Sequence, residues 1–294
     1  MANERFITNQ LYKKIKFLYQ GKFEQLPQPF LQDYYGYKND NYGDEIIEVG
    51  KTLLQFVTEV IRKDAIKGAE YISYLSMGYP NKNNTDLYFS VQECINLQRL
   101  YLNSMSSFGL KDLKIQALVI NAFFRWYCSV YETYRKVLVY CLACHKYTTN
   151  QEFQDIDRYL FDIGHPEKVL KAETSPSKHE ILLKYFKGEV RHSISHSNIM
   201  LLKGEKEPNL FSVVIRHSSD EKNDSYQLYY DTFVDFVESV DKNISILYQS
   251  MRFFLAISNG FIISVYGEKY NEYLGKDANI SEVTKRMMKD GALF

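Results

Sequence analysis

The stretch KDLKIQALVINAFFRWYCSVYETYRKVLVYCLACH, Lys111 to His145, contains no proline and no glycine. Apolar residues fall on most sides of the helix it would form. That pattern predicts a long central helix buried by several neighbours, and with it a mainly α-helical protein. Glu132 and Arg135 are mid-helix charges. They read either as a surface pair at i,i+3 or as a carboxylate that orients an arginine in a cleft. The stretch closes with Cys141-x-x-Cys144-His145. No second CxxC and no strand accompany it, so the thiols read as buried structural residues rather than a haem or redox site.

Upstream, Asn9 to Leu26 has the spacing of a short amphipathic helix, stopped by Pro27 and Pro29. Phe30 to Gly43 reads as a loop. Asp44 to Met77 predicts a long helix or a helix pair, with Ile46, Ile47, Leu53, Leu54, Val57 and Ile61 as its core stripe and Gly68 as a break point. A turn at GYPNKNNTD precedes a helix from Thr85 or Asp86 through Leu102.

Downstream, Tyr147 to Lys171 is polar and predicts a loop with a short helix. Ser175-Pro176 supplies an N-cap with proline at the first helical position. Leu182, Phe186, Val190 and Ile194 then recur every four residues, which predicts one continuous helix with a core face. Arg191, His192, Ser195 and His196 fall off that face. Leu210–His217 and Ser225–Tyr230 predict a β-hairpin. Thr232 with Asp235 opens a last long helix, to about Ile257, and the tail beyond it ends in a charged helix. The organisation expected is a helical N-terminal region (1–110), a helical bundle with a small β-hairpin insertion (111–258) and a C-terminal tail or capping helix (259–294).

Composition narrows the function classes. Lys and Arg number 36, as do Asp and Glu, so net charge is zero and any polyanion site must be a local cluster. The 25 tyrosines and 19 phenylalanines read first as packing groups. The N-terminus MANERFITNQ lacks the apolar run of a signal peptide, and the most apolar run, Phe253 to Val265, is too short to span a membrane. A cytoplasmic protein with reduced thiols is expected.

The chemistry concentrates in KYFKGEVRHSISHSNIM, Lys184 to Met200, where Arg191 and His196 stand as R-x4-H with His192 directly after the arginine. Such a motif on a late helix, behind a long apolar helix and ahead of a polar excursion and a closing helix, resembles the HEPN domain family. The resemblance covers roughly Lys111 to Ile257. It implies a HEPN-like helical bundle that pairs as a homodimer around one composite cleft and cleaves RNA without metal or other cofactor. Arg191 would then stabilise charge on the scissile phosphate, His196 would act as general base or acid, and His192 would orient one or the other. Lys187, Lys184, Ser195 and Asn198 would contact substrate, with Lys203 on a basic rim and Glu132 and Arg135 in support. The resemblance also implies a toxin or anti-phage abortive-infection setting, with an antitoxin or regulator protein as partner. In HEPN toxins paired with a nucleotidyltransferase antitoxin, a tyrosine commonly lies two residues after the motif histidine. Asn198 stands there in this chain, which argues against that mode of neutralisation.

Three other readings stay open. His192 and His196 are an i,i+4 pair that could grip a metal ion given a third ligand. The bundle could be a non-catalytic binding or regulatory module acting through a protein or nucleotide partner. Arg191 and His196 could be structural, with Glu132 or Glu189 as the arginine's partner. A geometric difficulty attends the nuclease reading, since residues five apart on an ideal helix point about 140° from each other.

Overall fold

The structure is a computed structural model that describes residues 36–64, 67–68, 71–72, 75, 86–110, 112–150, 165–196, 198–218 and 225–266. It is mainly helical, with a small antiparallel sheet. In chain order the elements are α1 (Gly43–Lys63), α2 (Asp86–Phe108), α3 (Leu113–Thr148), α4 (Pro166–Glu173), α5 (Pro176–Leu183), α6 (Glu189–Ser195), β1 (Ile199–Lys203), β2 (Phe211–Ser218), β3 (Ser225–Tyr230) and α7 (Phe233–Tyr266). The helices expected at the N-terminus and in the C-terminal tail lie outside the described residues.

Two compact units divide the chain. One comprises Met1–Phe89, Arg135–Leu182 and Tyr248–Phe294; the other comprises Ser90–Tyr134 and Leu183–Leu247.

In the first unit, α1 is amphipathic, and Ile46, Val49, Leu53, Phe56, Val57 and Val60 are buried. Asp44 and Glu45 open it while Arg62 and Lys63 close it, each end matching the helix dipole. Gly50 is there because Phe253 is close: a Cβ at that position would collide with the ring. The helix stops at Asp64, whose backbone is extended (φ −152°, ψ 108°). The C-terminal half of α3 is buried without interruption from Val137 to Cys144, more than two turns, so every side of the helix is covered. Burial pushes the thiols of Cys141 and Cys144 up, as expected of structural cysteines. Where α3 ends, Lys63 Nζ donates to the Tyr147 carbonyl at 2.6 Å, which satisfies a carbonyl that the helix leaves open.

In the second unit, Asp112 caps α3 by accepting from Lys114 N (2.9 Å) and Ile115 N (3.0 Å). Phe123 is the hub of an aromatic core, edge-on to Tyr101, Trp126, Phe233 and Phe236. The sheet order is β1-β2-β3, all antiparallel, with Val214 opposite Met200 on one side and Tyr229 on the other. Buried Gln116 fixes the sheet to α3. Its Nε2 donates to Asn209 O at 2.6 Å, and its Oε1 accepts from Phe211 N at 3.0 Å. Thr232 and Asp235 form the expected capping box at α7: Thr232 N donates to Asp235 Oδ2 at 2.9 Å and Asp235 N to Thr232 Oγ1 at 3.2 Å.

Two expectations need correction. The helix predicted from Pro176 through His196 is interrupted at Lys184–Gly188 and resumes as the short α6. The reason is aromatic packing. Tyr185 is buried, and Phe186 packs 5.5 Å from Tyr131 and 5.7 Å from Tyr134, while Lys187 N bonds Tyr185 O in a turn. The hairpin is also part of a three-stranded sheet, because β1 follows the motif directly.

Candidate functional site

The motif straddles the end of a helix. Arg191 lies in the first turn of α6. His196 is its C-cap, already out of helical geometry (φ −98°, ψ 16°), and its N–H bonds His192 O at 3.0 Å. Asn198 N then donates to Ser193 O at 2.8 Å, and the chain enters β1. Buried Ser193 pins the helix to the sheet. Its hydroxyl reaches Glu189 O at 3.1 Å and Arg216 O at 3.3 Å.

Two i,i+4 pairs face each other across α3 and α6. The Arg191 guanidinium forms an ion pair with Glu132, and Ser195 Oγ lies 3.9 Å from Cys128 Sγ. The arginine side chain keeps 31% of its surface exposed and the glutamate 37%, so the pair lies at the edge of the packing. Arg191 Nε is buried and meets no hydrogen-bond partner among the described residues. A carboxylate on the arginine restricts where its fork can point, and this is the Glu132 partnership that the sequence left open. Burial pushes the Cys128 thiol up despite the opposing influence of Ser195 and Arg191, so it is a protonated thiol at neutral pH.

His192 and His196 occupy the neighbouring, solvent side of α6. Both are exposed, and their ring centroids are 4.2 Å apart at 48°. Within one chain, therefore, Arg191 belongs to the α3-facing cluster and the imidazoles to an outward pair. The end of the helix at Ser195 relaxes the ideal helical angle between Arg191 and His196 but does not merge the two groups. Lys184 and Lys187 are exposed in the break between α5 and α6, with Lys184 Nζ 5.2 Å from the Tyr185 ring. Lys203 is exposed at the end of β1. Arg135 is half-buried one turn beyond Glu132, and Asn198 contributes its backbone to the junction. Among the described residues, no group of three or more His, Cys, Asp or Glu is placed to hold a metal ion. No described helix is long and apolar enough to cross a membrane.

Sequence reading missed two residues. Cys128 was legible only as a helix position one turn before Glu132. Arg216 lies in the run LFSVVIRH, which reads only as a strand, and nothing local links it to the motif. In the fold, Arg216 N donates to Asn198 O at 2.9 Å, which ties its backbone to the motif's exit.

No protein-family model matches the chain, and no curated protein or solved structure is significantly similar to it.

Proposed function

We propose that the chain is a metal-independent endoribonuclease of the HEPN type. The observation that carries the reading is the pair of exposed imidazoles, 4.2 Å apart, in the same short segment as Arg191. In the reaction, one imidazole takes the proton of a ribose 2′-hydroxyl as its oxygen bonds to the adjacent phosphorus. The bond from phosphorus to the 5′-oxygen breaks, and an imidazolium returns a proton to that leaving oxygen. The products are a 2′,3′-cyclic phosphate and a free 5′-hydroxyl. His196 is the principal acid–base group, since an imidazole exchanges protons near neutral pH, and His192 is its partner in proton transfer. Arg191, held by Glu132, stabilises charge on the phosphorane-like transition state.

Arg191 and the imidazoles lie on neighbouring sides of α6, so a second copy completes the site, with two motifs around one phosphate in a homodimer. The biological setting we infer is a cytoplasmic toxin or anti-phage effector restrained by an antitoxin or regulator protein. The separation of Arg191 from the imidazoles within one chain also favours a second reading, a non-catalytic module that binds a nucleotide or protein partner.

The test is cleavage of total RNA and tRNA in EDTA by wild type, Arg191→Ala and His196→Ala, with folding and dimerisation checked for each. Metal-independent cleavage that disappears in both folded variants supports the nuclease. Absence of cleavage by wild type, with retained nucleotide binding, selects the binding module. Equal cleavage by all three excludes this site.

A further inference from the structure

We infer that the outer face of the β1-β2-β3 sheet is the platform on which single-stranded RNA lies beside the motif, with Arg216 taking a backbone phosphate and Tyr229 stacking a base. The inference rests on the ribonuclease reading and names where its substrate is held.

Strand alternation puts Ser212, Val214 and Arg216 on one face of β2. Register adds Met200 and Leu202 from β1 and Tyr229 from β3 to that face, and the Arg216 N to Asn198 O bond places Asn198, just before β1, at its end. Met200, Leu202 and Tyr229 are 46%, 46% and 50% exposed, whereas Val214 between them is buried. The face is thus an open apolar and aromatic surface, and its Arg216 end is the end that joins the motif. Arg216 N bonds Asn198 O and its carbonyl accepts from Ser193, so the arginine's Cα is held against the segment that carries His196.

The two key side chains differ from ordinary surface residues. The Arg216 side chain is exposed and makes no ion pair or hydrogen bond among the described residues, unlike Arg191, which Glu132 occupies. Tyr229 donates its hydroxyl to Ser212 Oγ at 2.9 Å, and Ser212 in turn donates to Asp231 O at 2.9 Å. Ser212 is a diagonal neighbour of Tyr229 in the register, so this bond lays the ring along the sheet and fixes it there. Asp231, at the far end, is paired with Lys206 and so does not repel a phosphate as a free carboxylate would. Arg216 and Tyr229 are diagonal partners in the register, and the bond to Ser212 leans the ring along the face away from Arg216, so a strand running over the sheet meets the cation and the ring one after the other. A cation with no partner among the described residues, on the same face as a fixed, open aromatic ring, matches a single-stranded polyanion with stacking bases, and sequence preference is not required.

The experiment measures anisotropy of a labelled single-stranded RNA on full-length His196→Ala protein, so that the RNA stays intact. On that background Arg216→Gln should weaken binding roughly tenfold and make the salt dependence of affinity shallower by about 0.7 in log–log slope. Tyr229→Ala should weaken binding roughly tenfold with the slope unchanged, and Tyr229→Phe, which keeps the ring, should weaken it less. RNA bound equally by all of these proteins would overturn the platform and leave the nuclease reading standing. Failure of the His196→Ala parent itself to bind RNA would overturn both. Sedimentation on the same samples covers the remaining case. If the substitutions dissociate a dimer and leave RNA affinity unchanged, the face is an interface between copies and the inference is wrong.

Discussion

Two stretches of α3 can be set side by side. From Val137 to Cys144 every residue is buried, and none carries a charge. From Arg125 to Glu132 the helix is buried on one side only: Tyr127, Val130 and Tyr131 face the core, while Arg125, Cys128, Ser129 and Glu132 retain exposure. The first stretch has no side left for chemistry, and its thiols are inert because burial disfavours the thiolate. The second keeps a polar edge, and α6 lays Arg191 and Ser195 along it. One continuous helix therefore serves as core over one segment and as a positioning surface over another. The difference lies in how many sides its neighbours cover.

The sharpest test of this contrast is at α6. Arg191→Ala or His196→Ala should reduce RNA cleavage by about a hundredfold or more. Thermal unfolding should stay close to wild type, because His196 is exposed and Arg191 partly so. A large loss of stability in both would mean the residues serve the fold. The converse holds in the buried stretch. Leu138→Ala should cost about 2–5 kcal/mol in urea denaturation, through lost burial and a cavity, while the folded fraction keeps its activity per molecule. A cost below about 1 kcal/mol would contradict burial on every side.

Glu132→Gln comes next. It keeps the shape and removes the charge that orients Arg191, so kcat should fall about tenfold. Stability should change by less than about 1 kcal/mol, the scale of a partly exposed ion pair. A change confined to stability would remove Glu132 from the positioning role.

The smallest effect near neutral pH concerns the thiols. Cys141, Cys144 and, less completely buried, Cys128 all hold their protons more tightly in the folded chain than an ordinary thiol, near 9.0. The unfolded chain releases those protons first as pH rises, so alkali pulls the equilibrium towards unfolding. Stability should be insensitive to these groups below about pH 8. Above about pH 9 it should decline by up to about 1.4 kcal/mol per pH unit for each thiol that remains protonated in the fold. Cys144→Ala should reduce the alkaline slope, and a slope identical to wild type would refute the assignment. Thiol labelling of the native protein should reach Cys128 before Cys141 or Cys144.

Much of the helical framework was legible. α3 runs from Leu113 to Thr148, close to the predicted span, because a long apolar run without glycine or proline has no competing local structure. Pro176 starts α5, and the Thr232–Asp235 box starts α7, since caps act within one turn of chain. β2 and β3 followed from their apolar composition and the polar turn between them. The break at Lys184–Gly188 was not legible. The four-residue recurrence of Leu182, Phe186, Val190 and Ile194 fits an unbroken helix. What overrides it is the seat that Tyr131 and Tyr134, about 50 residues upstream on α3, provide for Phe186. β1 was missed for a related reason. IMLLK is short and adjoins the motif, and it is a strand because Phe211–Ile215 is there to pair with it.

The sequence alone was enough for the helical class, for the caps and for the concentration of Arg191, His192 and His196 in one short segment. These depend on interactions within a few residues, whose free energies are nearly independent of the rest of the chain. It could nominate Glu132 as the partner of Arg191, but only the tertiary structure selected it over Glu189. The same holds for the other decisive features: the imidazoles are turned outward, Cys128 lies under Ser195, and Arg216 is a cation at the motif's exit with no partner among the described residues. Each of these is settled by groups far apart in sequence that meet, or fail to meet, when the core packs. No local pattern encodes those encounters.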